Sequence, residues 1–288
     1  MAIPPIRHSQ DRYDPKFVER LRPIFSFFYE RYFRVGYHGA GNIPSGPALF
    51  VGNHNGVLGL EVFMILEGWL RHAPKEVPLP LALTHDFALE HWTLNWWLPK
   101  LGAIPAKGEY AREALAKGYS VMVYPGGDRD ALRPYRDRAK VEFDGRKGYA
   151  RLALDAGIPI VPVTNVGGHE QVIVLERADW IAELLDFQKK YRLRGVPITL
   201  RGLPFLPGLF FEKTEQAALI ALVAATIVPL PAKMDFYYEK PIELTPEQRT
   251  ALTPDEQVEW LNARTLEALQ SRLTGEYAKP RLPIVGTI

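Results

Sequence analysis

"FVGNHNGVLGLEVF", residues 50–63, begins as an apolar strand and continues as an amphipathic helix, with Asn53-His54-Asn55 at the joint. A strand that hands over directly to a helix is the start of a βαβ unit. Upstream, "NIPSGPALFVGN" is a turn rich in proline and glycine followed by a strand at 47–52. Downstream, a helix is expected over about 58–72, and then a second strand in "VPLPLALTH". Residues 87–99 read as a helix carrying Trp92, Trp96 and Trp97 near one side. "LGAIPAKGEYAREALAKG" is a short extended piece and a helix closed by Gly118, and "YSVMVYPGG" is a strand ending in a glycine pair. "RKGYARLALDAG" is an amphipathic helix with a glycine stop, and "IPIVPVTNVG" is a further strand.

Strands and helices therefore alternate from 47 to about 167, and the strands are continuous apolar runs. That pattern predicts an α/β fold whose central sheet is mainly parallel and flanked by helices on both faces. It carries an N-terminal aromatic helical segment and a C-terminal helix, "DEQVEWLNARTLEALQSRL". Residues 15–35 read as a helix around Pro23 with Phe25, Phe27, Phe28, Tyr29, Tyr32 and Phe33 over most of its circumference, so it is either buried or laid against lipid. Residues 170–232 are less regular, and "MDFYYEKPIEL" reads as a late strand. The division expected is residues 1–40 as a helical, membrane-associating segment and residues 41–288 as one α/β domain.

Composition narrows the function. The chain has 288 residues, 47% of them apolar, enough for a sizeable core. It has no cysteine, which excludes disulfides, thiolate metal sites and a cysteine nucleophile. With 35 basic and 33 acidic residues and no long basic run, nucleic acid is not an expected partner. The N-terminus lacks the pattern of a signal peptide. The longest apolar run, "AALIALVAATIV" at 217–228, is too short to span a bilayer and ends at Pro229, so peripheral attachment is the membrane mode left open. There is no G-x-S-x-G elbow, Walker loop, dinucleotide fingerprint or H-E-x-x-H, and no metal site is expected.

In open α/β sheets ligands sit at the carboxyl ends of the strands. Three clusters fall there: His54; Gly126, Gly127 and Arg129 in "YPGGDRDALRP"; and Asn165, Gly167, Gly168 and His169. A histidine in such a place is either satisfied by nearby backbone or a general base, since it titrates near working pH. Glu61 lies within reach of it if "GLEVF" opens a helix, and a carboxylate on the second ring nitrogen would fix the tautomer and stabilise the imidazolium. The glycine pair is either an ordinary turn or a place where backbone N–H groups meet an anion. Arg129 is either an ion-pair partner or a fork for phosphate.

Together these motifs resemble the phospholipid/glycerol acyltransferase superfamily, which includes the lysophosphatidate acyltransferases. Its N-H-x4-D motif is matched by "NHNGVLGLE", with Gly59 at the aspartate position and Glu61 two residues later. Its F-P-E-G-T-R motif is matched by "YPGGDR", with Gly126 at the glutamate position. "IPIVPV" matches the proline-rich strand of its fourth motif. The two departures are similar to the phytyl ester synthase and diacylglycerol acyltransferase-like branch. The resemblance covers about residues 30–240.

The resemblance implies an O-acyltransferase in which His54 is the general base and Glu61 orients it. Base and orienter move an acyl group from an acyl thioester, acyl-CoA or acyl carrier protein, to the hydroxyl of a glycerolipid or other lipid alcohol. It implies no resident cofactor, the thioester being a co-substrate. Substrate-binding roles fall by the same route on Asn53, on Lys107 and Arg112 of "GAIPAKGEYAR", on Gly126 and Gly127, and on Arg129. Two other readings stay open: a non-catalytic lipid-binding relative, suggested by the glycines at 59 and 126, and a thioesterase or lipid hydrolase with water as acceptor. A lipid acceptor implies a membrane surface as partner, met peripherally from the cytoplasmic side through the aromatic helix 24–35, the tryptophan stretch 92–97 and the run 217–228, with Arg20, Arg22, Arg31 and Arg34 nearby.

Overall fold

A computed structural model describes residues 12–287 except 56–58, 91, 192–193, 200–201, 212, 216, 219–220 and 222–228. The run 217–228, apart from residues 217, 218 and 221, and the first 11 residues thus lie outside the described residues. The strands of the main sheet are β1 (Gly36–His38), β2 (Leu49–Gly52), β3 (Leu81–Thr84), β4 (Ala103–Pro105), β5 (Val121–Val123) and β6 (Ile160–Val166). A two-stranded antiparallel ribbon follows, β7 (Val174–Ala178) with β8 (Val196–Thr199), and then β9 (Asp235–Tyr238) returns to the main sheet.

The seven strands of the main sheet run in the order β1-β9-β6-β2-β5-β3-β4. β6, β2, β5, β3 and β4 are mutually parallel, with Phe50 opposite Met122 on one side and Val161 on the other. β9 runs antiparallel to β6, and β1 pairs parallel to β9, so the sheet is mainly parallel with one reversed edge. The connection out of β2 passes over β5 to β3, and the connection out of β5 passes back over β2 to β6. Where neighbouring connections leave in opposite directions a crevice opens at the carboxyl ends of the strands. β2 and β5 end at that crevice.

The helices are α1 (Pro15–Phe27), α2 (Leu60–His72), α3 (Asp86–Glu90), α4 (Trp92–Trp97), α5 (Gly108–Ala116), α6 (Gly127–Ala131), α7 (Gly148–Ala156), α8 (Asp179–Leu184), α9 (Phe187–Tyr191), α10 (Pro246–Ala251) and α11 (Pro254–Tyr277). Alternate strand residues bury on opposite faces, as the pleat requires. Phe50, Met122, Val161 and Val163 pack with Met64, Ile65, Leu66 and Trp69 of α2. Leu49, Val51, Val121 and Ile160 pack under α5, α7 and α11 through Ala111, Ala114, Ala150, Ala153, Leu261 and Leu269. This double burial is why the strands read as unbroken apolar runs.

α1 is part of the first of these cores. Val18, Phe25, Tyr29 and Phe33 are buried in it, and α1 runs on into a π-helical turn over Phe28–Tyr32. Ile24 and Phe27 stay outside, at 54% and 55% exposure. The segment 174–211 builds a small core of its own from Ala178, Ile181, Phe187, Val196 and Leu209, which is the physical content of its irregular pattern.

Candidate active site

β2 delivers Asn53, His54 and Asn55 into the crevice. His54 keeps the parity of Phe50, so its ring falls on the α2 side. Gly59 takes φ +58° before the first turn of α2, a conformation open to glycine at little cost. That turn places Glu61 so that its Oε1 meets His54 Nδ1 in a very short contact and accepts from the Asn55 N–H at 3.1 Å. Glu61 stands seven positions after His54, two more than the aspartate in the N-H-x4-D spacing, and the glycine turn and the longer glutamate side chain bridge the difference. The Glu61 side chain is fully buried, while that of His54 is 21% exposed. The carboxylate accepts, so the proton sits on Nδ1 and the lone pair on Nε2.

The imidazole stacks on Tyr124 of the "YPGG" turn, with centroids 4.8 Å apart at 24°. Burial pulls the His54 pKa down, but the charge and hydrogen bond of Glu61 and the charge of Asp130 overcome it, and the pKa ends above its ordinary 6.5. The flanking asparagines are clamped to β6. Asn53 Nδ2 donates to the Asn165 carbonyl at 3.0 Å, and the Asn165 N–H donates to Asn53 Oδ1 at 2.8 Å. Asn55 Nδ2 reaches the same carbonyl at 3.3 Å, and Gln171 Nε2 donates to the Asn55 carbonyl at 3.0 Å. Asn53 therefore acts on the backbone beside His54, as a scaffold for the site.

The glycine pair after β5 has a specific use. A Cβ on Gly126 would lie 2.3 Å from Asp130 Cβ and 2.3 Å from the Glu142 carbonyl oxygen. No side chain fits there, so the motif's glutamate cannot. The space is filled by Asp130, one turn later. Its Oδ2 accepts from the His54 N–H at 2.5 Å, and its Oδ1 accepts from the Glu142 N–H at 3.0 Å and from Arg133 Nη1. Arg133 Nη2 donates in turn to His169 Nε2 at 2.7 Å, and all three side chains are buried. Burial, then the Arg133 charge, hold His169 well below its ordinary pKa, which keeps it a neutral acceptor. Gly127 has φ +54° and its N–H is taken by the Tyr124 carbonyl at 3.1 Å.

The remaining expected residues lie around this centre. Arg129 sits among acids, with Nε 3.3 Å from Asp144 and Nη1 4.0 Å from Glu142, and Arg177 donates to its carbonyl at 2.8 Å. Lys107 ends β4's turn into α5 and pairs with Asp86 at 3.3 Å, while the Arg112 guanidinium lies over Gly108, about where a Cβ would be 3.3 Å away. The structure thus joins His54 and Glu61 directly, Gly126 to His54 through Asp130, and Asn53 to β6 beside them. Lys107, Arg112 and Arg129 stand on neighbouring turns, Lys107 and Arg129 with acidic partners of their own. Asp130 and Arg133 had escaped notice in the sequence. Their spacing of three on a helical turn after the glycine pair was the available signal, and it reads equally as an exposed surface pair. Among the described residues no group of three or more His, Asp or Glu could hold a metal ion.

Residues 34–166 match the Acyltransferase family. An uncharacterized protein of Mycobacterium leprae is 30% identical over 235 residues, which cover 81% of this chain and 58% of that protein. A Gallus gallus protein named as a DGAT1/2-independent enzyme synthesizing storage lipids is 31% identical over 161 residues, covering 56% of this chain and 45% of that one. The chloroplastic phytyl ester synthase 1 of Arabidopsis thaliana is 26% identical over 194 residues, covering 60% of this chain and 27% of that one. The chain thus spans little more than half the length, or less, of these curated relatives.

Proposed function

We propose, from the match of residues 34–166 to the Acyltransferase family, that this chain is an O-acyltransferase with a lipid hydroxyl as acceptor and an acyl thioester, acyl-CoA or acyl carrier protein, as donor. The observation that carries the reading is the buried Glu61 on Nδ1 of a partly exposed His54, which leaves Nε2 to take a proton. Nε2 takes the acceptor's hydroxyl proton as the oxygen attacks the thioester carbonyl. Glu61 stabilises the imidazolium as it forms. Collapse of the tetrahedral intermediate breaks the C–S bond, and the imidazolium returns the proton to the leaving thiolate. The products are an ester and a free thiol, and no acyl-enzyme is needed. The relatives named for storage-lipid and phytyl ester synthesis support a neutral lipid acceptor, such as a diacylglycerol or a long-chain alcohol. The acid partners of Arg129 favour the same choice, because a phosphate would have to displace them.

The membrane is met at a surface. No helix of the described residues is long and apolar enough to cross one. Ile24 and Phe27 of α1 are exposed, Trp96 of α4 packs edge-on against Phe17 at 5.9 Å, and Lys100 lies 4.0 Å from the Trp96 ring centre. Exposed aromatic and aliphatic side chains with a cation beside them suit the interface of an anionic bilayer. Arg34, by contrast, is tied to the carbonyls of Tyr32, Pro231 and Ile284.

The test is a purified-protein assay of thiol release from palmitoyl-CoA, with and without dioleoylglycerol, lysophosphatidate or hexadecanol, together with flotation on liposomes. Ester formation with a neutral acceptor and loss of it in His54→Ala support the reading. Thiol release independent of every alcohol assigns a thioesterase, and no thiol release with retained lipid binding assigns a binding protein.

A further inference from the structure

We propose that Asp130 is a second positioning carboxylate for the base: with Arg133 and His169 it forms a buried strut that fixes the backbone of His54 while Glu61 fixes its ring. The inference rests on His54 being the base.

The geometry sets it apart from ordinary packing. The His54 N–H lies past the last residue of β2, where the ladder no longer supplies an acceptor. Any carbonyl would satisfy it. The fold instead brings a fully buried carboxylate to 2.5 Å. A buried carboxylate needs a matched cation and further donors. Here Arg133 and the Glu142 N–H supply them on the opposite oxygen. The cation is itself buried, and its far arm ends on His169, which follows β6. Gly126 completes the device, since any Cβ there would occupy the position of Asp130. One side chain is thus omitted and three are buried at the place where a single peptide N–H beside the proposed base is held.

His54 is gripped from two independent elements, Glu61 at the start of α2 and Asp130 on α6. The ring can be misplaced by loss of either. The charged and titratable groups around it are Glu61, Asp130, Arg133, His169 and Tyr124. Asp130 and Glu61 favour the imidazolium, and Arg133 opposes it. Asp130 therefore acts on the same step as Glu61, from the backbone side. It touches no substrate and is a positioning residue.

The experiment compares wild type, Asp130→Asn, Asp130→Asn/Arg133→Met and His54→Ala. Asparagine keeps an acceptor for the His54 N–H and removes the charge. The double variant leaves no unpaired buried cation and serves where the single one melts early. Two quantities are read in each folded protein: the titration of the His54 imidazole by 15N NMR, assigned by its loss in His54→Ala, and kcat and KM for palmitoyl-CoA with the best acceptor. Expected in Asp130→Asn are a fall of the His54 midpoint by about half a unit and a fall in kcat of about tenfold, with KM unchanged. The double variant recovers melting temperature and keeps the low kcat. A folded variant with the wild-type titration and wild-type kcat overturns the proposal. Activity surviving in His54→Ala overturns the base reading instead, while the NMR titration still shows whether Asp130 governs His54.

Discussion

Helix α2 buries two glutamates, six residues apart, and puts them to different uses. Glu61 in its first turn meets an imidazole and a peptide N–H. Glu67 further along accepts from Ser26 Oγ at 2.9 Å and from Arg71 Nε at 2.5 Å, with Arg22 at 3.5 Å. Both side chains are fully buried. The partners of Glu67 are a hydroxyl and two guanidiniums, the latter charged at every working pH, so that cluster is a clamp that pins α1 onto α2. The partner of Glu61 gains and loses its proton in the working range, so that pair stores a response to protonation. The two burials look alike, and what separates them is whether the facing group can change charge.

The comparison is broken most decisively at His54. His54→Ala should lower turnover by about 10²–10⁴-fold with little change in melting temperature. Wild-type turnover in a folded His54→Ala protein would remove the functional half of the contrast. Next is Glu61→Gln, expected to lower kcat by about 10–100-fold at constant KM for the thioester, since the lost interaction matters when the imidazolium forms. Its pH profile sharpens the point. The base works unprotonated, so kcat/KM should rise with pH through the His54 pKa, which lies above 6.5 in wild type and should move down in Glu61→Gln. Linkage gives the stability sign. A pKa raised on folding contributes stability in full on the acid side of 6.5, and that contribution is lost as pH rises through the folded value. Differential scanning fluorimetry should therefore show a larger Glu61→Gln deficit in acid than in alkali.

Glu67→Gln tests the other half. Arg22 and Arg71 are partly exposed and can rehydrate, so the loss should be about 2 kcal/mol, below the full cost of orphaning a buried charge. Turnover per folded molecule should stay within about twofold of wild type. A collapse of kcat without loss of stability would show that both glutamates serve the chemistry. The smallest stability effect belongs to the outer face of α1. Ile24→Ser/Phe27→Ser should change stability by about 0.5 kcal/mol or less, yet reduce flotation on anionic liposomes. Unchanged flotation would place the membrane contact elsewhere, with exposed Trp180, Leu184, Phe210 and Phe211 as the alternative face.

The meeting of His54 and Glu61 was legible because they lie seven positions apart across one strand-to-helix turn, and local geometry dictates that they meet. The parallel half of the sheet was legible for a related reason: residues buried on both faces leave an apolar run that periodicity exposes. The reversed edge was not, because β9 joins β6 and β1 across long separations, and a strand's direction leaves no mark on its own residues. The aromatic helix shows the limit on the surface side. Its sequence is apolar nearly all round, and only packing decided that Phe25, Tyr29 and Phe33 are core while Ile24 and Phe27 face out.

By itself, the sequence determined the α/β alternation, the strand-end place of His54, Glu61's reach to it, and motifs that resemble those of the glycerolipid acyltransferases. The tertiary structure alone decided that Gly126 leaves room for Asp130, that Asp130 holds the His54 N–H, and that Arg133 ends on His169. The physical reason is separation along the chain. His54 and Asp130 lie 76 residues apart, and Arg133 and His169 lie 36 apart. Such pairs meet only because β2, β5 and β6 are neighbours in the sheet, and strand order is a property of the folded whole.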